Sequence, residues 1–258
     1  MCNSIGCKVS LKFVTLWHDV GKNIRSKMTD AEVTFSFKQF SLTDRRCGMK
    51  IGTDAVVAAV LAELRPENGV VADIGAGCGI IGLMLAQRYP ECTVEMIEID
   101  EGAYADLCLN VAESPWADRI KARKGDFSEL EGPVDLIISN PPYYASGANP
   151  PEPSRALARC AGSLSALTLL QFAEKLLTDT GLLAMIVPSD NADELMAIAP
   201  ICRLWPTRRV DVITSKRRGI TRSFLEFSRK ECASPTPEVL DTATDEYRML
   251  VKDFYLKL

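Results

Sequence analysis

Apolar residues along this chain recur with two alternating periods, short β-branched runs and longer stretches of helical spacing. Val134-Asp135-Leu136-Ile137-Ile138 is apolar and bounded by Gly132-Pro133 and by Pro141-Pro142, so it predicts a buried strand ending in a rigid loop. Gly69 to Ile74, Thr93 to Ile99, Ile120 to Arg123 and Gly181 to Val187, closed by Pro188, read the same way. Between and around them, Ala55 to Leu64, Ile80 to Arg88, Glu101 to Ala112, Leu164 to Leu177 and Asp193 to Ala199 carry helical spacing. Thr53 or Asp54 is expected to cap the first helix, which Pro66 ends. Phe35 to Phe40 alternates apolar with polar residues and predicts a strand, followed by a turn from Thr43 to Gly48. Val210 to Thr214 and Ser223 to Phe227 predict a late hairpin joined by Ser215-Lys216-Arg217-Arg218-Gly219. Ser234-Pro235-Thr236-Pro237 reads as a loop before the tail from Asp245.

Five such strands alternating with helices, then a hairpin, predict an α/β, doubly wound, mostly parallel seven-stranded sheet with an antiparallel edge hairpin. Residues 28–258 are expected to form one domain, and residues 1–27 an extension upstream of a start at Met28. The extension's apolar run, Leu11 to Trp17, is short for a signal sequence and lacks a cleavage site. No internal repeat is apparent.

Composition narrows the chemistry. A chain of 258 residues that is 47% hydrophobic and 25% charged is globular, and no stretch approaches the roughly 18 apolar residues of a membrane span. The nine cysteines are scattered without metal-ligand spacing, and Cys92, Cys108 and Cys202 read as small core residues, which fits a reducing cytoplasm. With His18 as its one histidine, the chain is a poor candidate for Ser-His or Cys-His catalysis, and no metal is expected. The net charge of -4 argues against a polyanionic partner, but charge is unevenly placed. Nine Lys or Arg lie between Arg203 and Lys230 against Asp211 and Glu226, and Lys38, Arg45, Arg46 and Lys50 form a second cluster. Local patches decide such contacts, with plain solvated surface as the competing reading.

Candidate chemistry lies at the predicted strand ends, where open α/β sheets bind ligands. Asp73 closes a strand before the glycine turn Gly75-Ala76-Gly77-Cys78-Gly79, and Glu98 and Asp100 close the next, Glu98 nineteen residues after Gly79. Glycines let backbone approach a ligand, and an acidic group at the next strand end takes ribose hydroxyls. The spacing is G-x-G-x-G, which suits S-adenosylmethionine, with no pyrophosphate to cradle, better than NAD. Asp126 at the third strand end is placed to accept from an adenine amine with Phe127 over the ring, helix capping being its rival role. At the fourth, Asn140-Pro141-Pro142-Tyr143 offers the Asn140 amide oxygen and the Pro141 carbonyl to two N-H groups, and Tyr143 as a stacking ring. A planar exocyclic amine is a poor nucleophile, and such acceptors favour the positive charge that grows on it as a methyl group arrives. Residues 144–162, rich in Pro, Gly, Ser and Ala and carrying Arg155 and Arg159, are expected to form a substrate lid.

The set Asp73 to Gly79, Glu98-Ile99-Asp100, Asp126 and Asn140 to Tyr143 resembles the class I, Rossmann-like S-adenosylmethionine-dependent amino-methyltransferases. More narrowly, five stretches resemble the bacterial valine-tRNA adenine-37 N6-methyltransferases: Phe37 to Phe40, Asp44 to Asp54, Ser114-Pro115-Trp116, Ala158 to Ser165 and Asp253 to Lys257. That likeness runs from about Thr34 to the end. It implies that Asn140, Pro141, Pro142 and Tyr143 are catalytic. It also implies that Lys50, Gly52, Thr53, Asp73, Gly75, Ala76, Gly77, Gly79, Glu98, Ile99, Asp126, Phe127 and Asn140 hold the cofactor, whose product is S-adenosylhomocysteine. Lys50 to Asp54 would cover the methionine end. The chain departs from the family in its leader and at Cys160, where histidine is expected.

The anticodon loop of tRNA is then expected on Lys38, Arg45, Arg46, Arg155, Arg159, Lys216, Arg217, Arg218 and Arg222, with the purine beside the anticodon swung into the pocket of a monomeric enzyme. The same catalytic loop would also hold a glutamine amide of a release factor or an rRNA guanine amine. A non-catalytic RNA chaperone is the alternative from another class.

Overall fold

The computed structural model describes residues 35–66, 68–142 and 164–257. Tyr143, Arg155, Arg159, Cys160, the expected lid and the leader lie outside the described residues.

The parallel core arises where β-branched runs are buried on both faces. β3 (Val70–Ile74), β4 (Thr93–Glu98), β5 (Ile120–Lys124), β6 (Val134–Ser139) and β7 (Leu177–Pro188) are all parallel, in the spatial order β7-β6-β3-β4-β5. The chain enters through a two-stranded ribbon, β1 (Phe35–Ser36) and β2 (Ser41–Leu42). The expected single strand over Phe35 to Phe40 is therefore folded back on itself, because Phe37 N donates to Phe40 O and the two rings stack at 4.7 Å.

Helices α1 (Thr53–Leu61), α2 (Ile80–Arg88) and α3 (Glu101–Glu113) pack on one sheet face, while α4 (Ala166–Leu176) and α5 (Ser189–Ile198) pack on the other. Thr53 and Asp54 sit inside α1, not at its cap. Gly52 is the capping residue and makes no side-chain hydrogen bond there.

β8 (Trp205–Ser215) and β9 (Gly219–Ser228) form the expected hairpin, with β9 antiparallel to β7. Both strands run longer than the apolar pattern alone indicated. An eighth strand, β10 (Glu238–Asp241), adds parallel to β8, so the hairpin is flanked on both sides. α6 (Asp245–Val251) closes the chain against this end, with Tyr247, Val251 and Phe254 buried in the core. Cys92 is buried, and Cys108 and Cys202 are half-buried.

Two carboxyls are buried within this sheet. Glu226 on β9 is 2% exposed and accepts from Glu63 N at 3.2 Å, and burial pushes its pKa up to about 7 despite the opposing Arg208 charge. Burial likewise raises Asp73 to about 7. Between the ordinary carboxylate range and about 7 the folded chain thus holds protons that the unfolded chain releases, so stability falls as pH rises through that window. Urea unfolding at pH 5 and pH 8 should show the larger unfolding free energy at pH 5. Glu226→Gln should flatten the slope, and a slope of the opposite sign would contradict this account.

Candidate active site

The glycine turn stands where β3 gives way to α2. Gly75, Gly77 and Gly79 hold φ of 68°, 58° and 89°, a left-handed conformation costly for any residue with a Cβ. A Cβ on Gly75 would also lie 2.7 Å from Leu164 Cδ2, and one on Gly79 2.5 Å from Leu107 Cδ1. The turn is fastened to the next strand by Gly75 N and Ala76 N, which both donate to Ile97 O.

The two acidic residues divide their roles. Asp73 is fully buried behind the turn, where its Oδ2 accepts from Gly82 N at 2.9 Å and ties the strand to the first turn of α2. Its Oδ1 has no partner among the described residues. Asp73 therefore shapes the turn from behind and does not line the cavity. Glu98 accepts from Gly77 N at 2.7 Å and from Asp100 N at 2.8 Å, and burial raises its pKa while those amides pull it down. Asp100 caps α3 through Ala103 N.

Beyond the turn is a narrow concavity of about 20 Å³ lined by Gly75, Ile99, Asp126, Phe127 and Leu164 among others. Asp126 and Phe127, placed there by sequence spacing, are brought together with Gly75. Asp126 also caps the short helix that follows, accepting from Ser128 N at 2.8 Å, the rival role that the sequence offered for it.

A loop from Thr43 to Gly52 lies over the turn. Cys47 Sγ comes within 3.4 Å of where a Cβ on Gly77 would be. Two polar residues of α3 hold the loop there. Asp106 accepts from Arg46 N at 2.6 Å and Cys47 N at 3.1 Å and pairs with Arg46 Nε at 3.1 Å. Asn110 accepts from Thr43 N and donates to Thr43 O and Cys78 O, each at 2.8 Å. Sequence reasoning missed both. The signal was two polar groups four residues apart on the face that also carries Ala103 and Leu107, buried with them. Lys50 Nζ donates to Asp44 O at 2.5 Å and Arg45 O at 3.3 Å, so this lysine secures its own loop.

The Asn-Pro-Pro loop begins one strand away. Ser139 on β6 is in register with Ile74 on β3, and its hydroxyl donates to Ile74 O at 2.7 Å. Asn140 follows, half-buried, and Pro141 and Pro142 line a second concavity of about 240 Å³ with residues of β7, α4 and α5. The amide is thus not sealed into the hydrophobic layer.

The basic residues separate into distinct places. Lys38 donates to Lys252 O at 2.6 Å at the end of α6, and Gln87, in the last turn of α2, donates to the neighbouring Asp253 O at 3.0 Å. That puts Lys38 at the end of α2 away from the glycine turn. Arg45 and Arg46 lie on the loop over the turn. Arg222, opposite Pro188 in the β7–β9 register, pairs with Asp54 at 2.7 Å, which joins the hairpin to the start of α1. Arg208 pairs with Glu238, Arg209 with Asp193 and Asp211, and Arg229 with Asp179. Lys216, Arg217 and Arg218 remain exposed and enter no ion pair among the described residues. Gly219 is three positions beyond the level of Pro188, so this turn rises about 10 Å past the tip of β7 on the side of the Asn-Pro-Pro loop.

Residues 47–194 match the family model described as the methyltransferase small domain. Proteins called tRNA1(Val) (adenine(37)-N6)-methyltransferase from Tolumonas auensis and Aeromonas hydrophila are 35% and 36% identical, each alignment covering 87% of this chain and 98% of the relative. One of that name from Flavobacterium johnsoniae is 36% identical, over 87% of this chain and all of the relative. This chain belongs to the tRNA1(Val) (adenine(37)-N6)-methyltransferase family. Solved structures agree on the fold of this family member. A predicted O-methyltransferase from Agrobacterium tumefaciens superposes with a TM-score of 0.56 at 18% identity, covering 78% of this chain and 96% of its own. A methyltransferase from Pyrococcus furiosus gives 0.52 at 16%, covering 85% and 99%. The methyltransferase assignment and the expected doubly wound sheet are therefore borne out. Among the described residues no group of metal-binding side chains occurs, and no helix is long and apolar enough to cross a membrane.

Proposed function

We propose that this protein transfers a methyl group from S-adenosylmethionine to the exocyclic amine of adenine 37 in a valine tRNA, releasing S-adenosylhomocysteine. The observation that carries the reading is the register of Ile74 with Ser139, which seats the Asn140-Pro141-Pro142 loop beside the glycine turn. The cofactor's nucleoside would lie against the glycine turn, beside the cleft at Gly75. Asp126 and Phe127 would meet its adenine, Glu98 its ribose, and the loop through Lys50, Gly52 and Thr53 its methionine end. When bound, that cofactor supplies an electrophilic methyl group. The chain's own part is to fix the amine. Asn140 Oδ1 and Pro141 O each accept one N-H, aligning the nitrogen lone pair and stabilising the charge that develops there.

The bare cationic turn Lys216-Arg217-Arg218 over the same sheet edge favours an RNA substrate over a protein glutamine. The substrate further places the enzyme, acting as a monomer, in the cytoplasm. Mass spectrometry of tRNA from cells with and without this protein tests the reading. Loss of N6-methyladenosine from valine tRNA alone is the expected result, and an unchanged tRNA profile would refute it.

A further inference from the structure

The concavity that shares Pro141 and Pro142 with the catalytic loop is walled on its far side by α5. Asn191, Glu194, Leu195 and Ile198 follow the spacing of a single helix face, and all four line it. It is a small open cleft of about 240 Å³, and its mostly apolar wall with a few polar groups has the character of a small-molecule pocket. Among those polar groups, Ser165 is committed to capping α4, where its Oγ accepts from Thr168 N at 3.1 Å. Asn191 and Glu194 are exposed and have no hydrogen-bond or ion-pair partner among the described residues.

The occupant is identified by matching donors to acceptors, and the match rests on the proposed tRNA substrate. Once both amine hydrogens of an adenosine are given to Asn140 and Pro141, the base keeps only acceptors, its ring nitrogens. An adenosine inside an RNA chain has one donor left, the ribose 2′-hydroxyl, because its 3′ and 5′ oxygens are esterified. The α5 wall offers one group that can donate, the Asn191 amide, and one that only accepts, the Glu194 carboxylate. A carboxylate at this place repels phosphate and disfavours the ring nitrogens, so the hydroxyl is the one group on the target nucleotide it can satisfy.

We propose that α5 reads the target nucleoside, with Glu194 accepting from its 2′-hydroxyl and Asn191 donating to a ring nitrogen. The 2′-hydroxyl is what lets a protein tell RNA from DNA at one site, so Glu194 makes the enzyme selective for a ribonucleotide. Neither residue touches the cofactor concavity.

The test uses the full-length protein with valine tRNA, and with the same tRNA assembled with 2′-deoxyadenosine at the target position. For the unaltered protein, kcat/KM should fall about tenfold on the deoxy substrate, the worth of one charge-assisted hydrogen bond. Glu194→Ala should lower activity on the ribo substrate to the deoxy level and erase the preference. Glu194→Gln, which keeps an acceptor oxygen, should restore much of it. Asn191→Ala should lower both substrates by one factor, its partner being the base. S-adenosylhomocysteine affinity should be unchanged throughout. A Glu194→Ala protein that keeps the full preference overturns the proposal, as does unaltered protein that uses both tRNAs equally. If the unaltered protein binds S-adenosylhomocysteine yet methylates neither tRNA, the substrate reading itself has failed and this inference falls with it.

Discussion

Asn140→Ala should lower kcat for methyl transfer to tRNA by about 10²–10³-fold, the usual effect of removing one preorganised partner of a developing charge. Affinity for S-adenosylhomocysteine should stay within about twofold, since a lost contact outside the cofactor cradle costs little binding energy there. The split follows from the layout. Asn140 follows β6, whereas the concavity proposed for the cofactor is bounded by Gly75, Ile99, Asp126 and Phe127 at the ends of β3, β4 and β5. The side chain is half-buried at a strand end, so its removal opens no core cavity and the thermal midpoint should hardly move. Isothermal titration with S-adenosylhomocysteine, a melting curve and single-turnover labelling of tRNA measure the three quantities on one preparation. Unaltered turnover in this variant would remove Asn140 from the chemistry. A parallel loss of cofactor affinity would instead make it part of the cradle.

Much of this site could be read from sequence because its signals are short-range. The boundaries of α2 are met residue for residue, since Gly79 opens that helix and Pro90 follows its end. β6 is a short, mostly apolar run between prolines, so its end and the placement of Asn140 follow from the run itself. What stayed hidden depends on partners far along the chain. Asp54 has the chemistry of a helix cap, but its carboxylate is taken by Arg222, 168 positions away, and the cap falls to Gly52. The apolar pattern of β8 shows only from Val210 onward, because Arg208 and Arg209 interrupt it. They are tolerated there by Glu238, Asp193 and Asp211, which no local window contains together. β10 is a four-residue edge strand after a proline-rich stretch, too short to show a period of two.

Charge was the least legible property. Counted along the sequence, the stretch from Arg203 to Lys230 is strongly basic. In the fold, Arg208, Arg209, Arg222 and Arg229 are each met by a carboxylate that lies outside the stretch. Of the five cations left, Arg203 and Lys230 flank the opposite end of the hairpin, so at the turn itself the field available to a polyanion comes from Lys216, Arg217 and Arg218. Those pairs also fix how the hairpin sits, because Arg222 anchors β9 to α1 beside Pro188. A basic composition becomes one directed cationic turn, held rigidly above the edge that carries the catalytic loop.

Reversing that turn, Lys216→Glu with Arg217→Glu and Arg218→Glu, is accordingly expected to lower kcat/KM for tRNA by at least about 10²-fold near physiological salt. Three phosphate contacts are lost and three repulsions gained, while each lost contact should flatten the dependence of log affinity on log salt by about 0.9 or less. The loss should be chiefly in KM, because in the proposed complex these side chains would meet the RNA backbone and take no part in aligning the amine. Binding of S-adenosylhomocysteine should not change. The melting midpoint should hold as well: all three side chains are exposed, the strand pairs below the turn are intact, and Gly219 keeps its left-handed φ of 67°. Raising salt from about 50 to 200 mM should weaken the unaltered enzyme far more than the reversed one, and this comparison separates lost phosphate contacts from a disturbed fold. A protein-glutamine substrate would make no demand on this turn. Full activity of the reversed protein on valine tRNA would therefore break the link between the cationic hairpin and substrate docking, whereas a steep KM effect with unchanged cofactor affinity ties the two together.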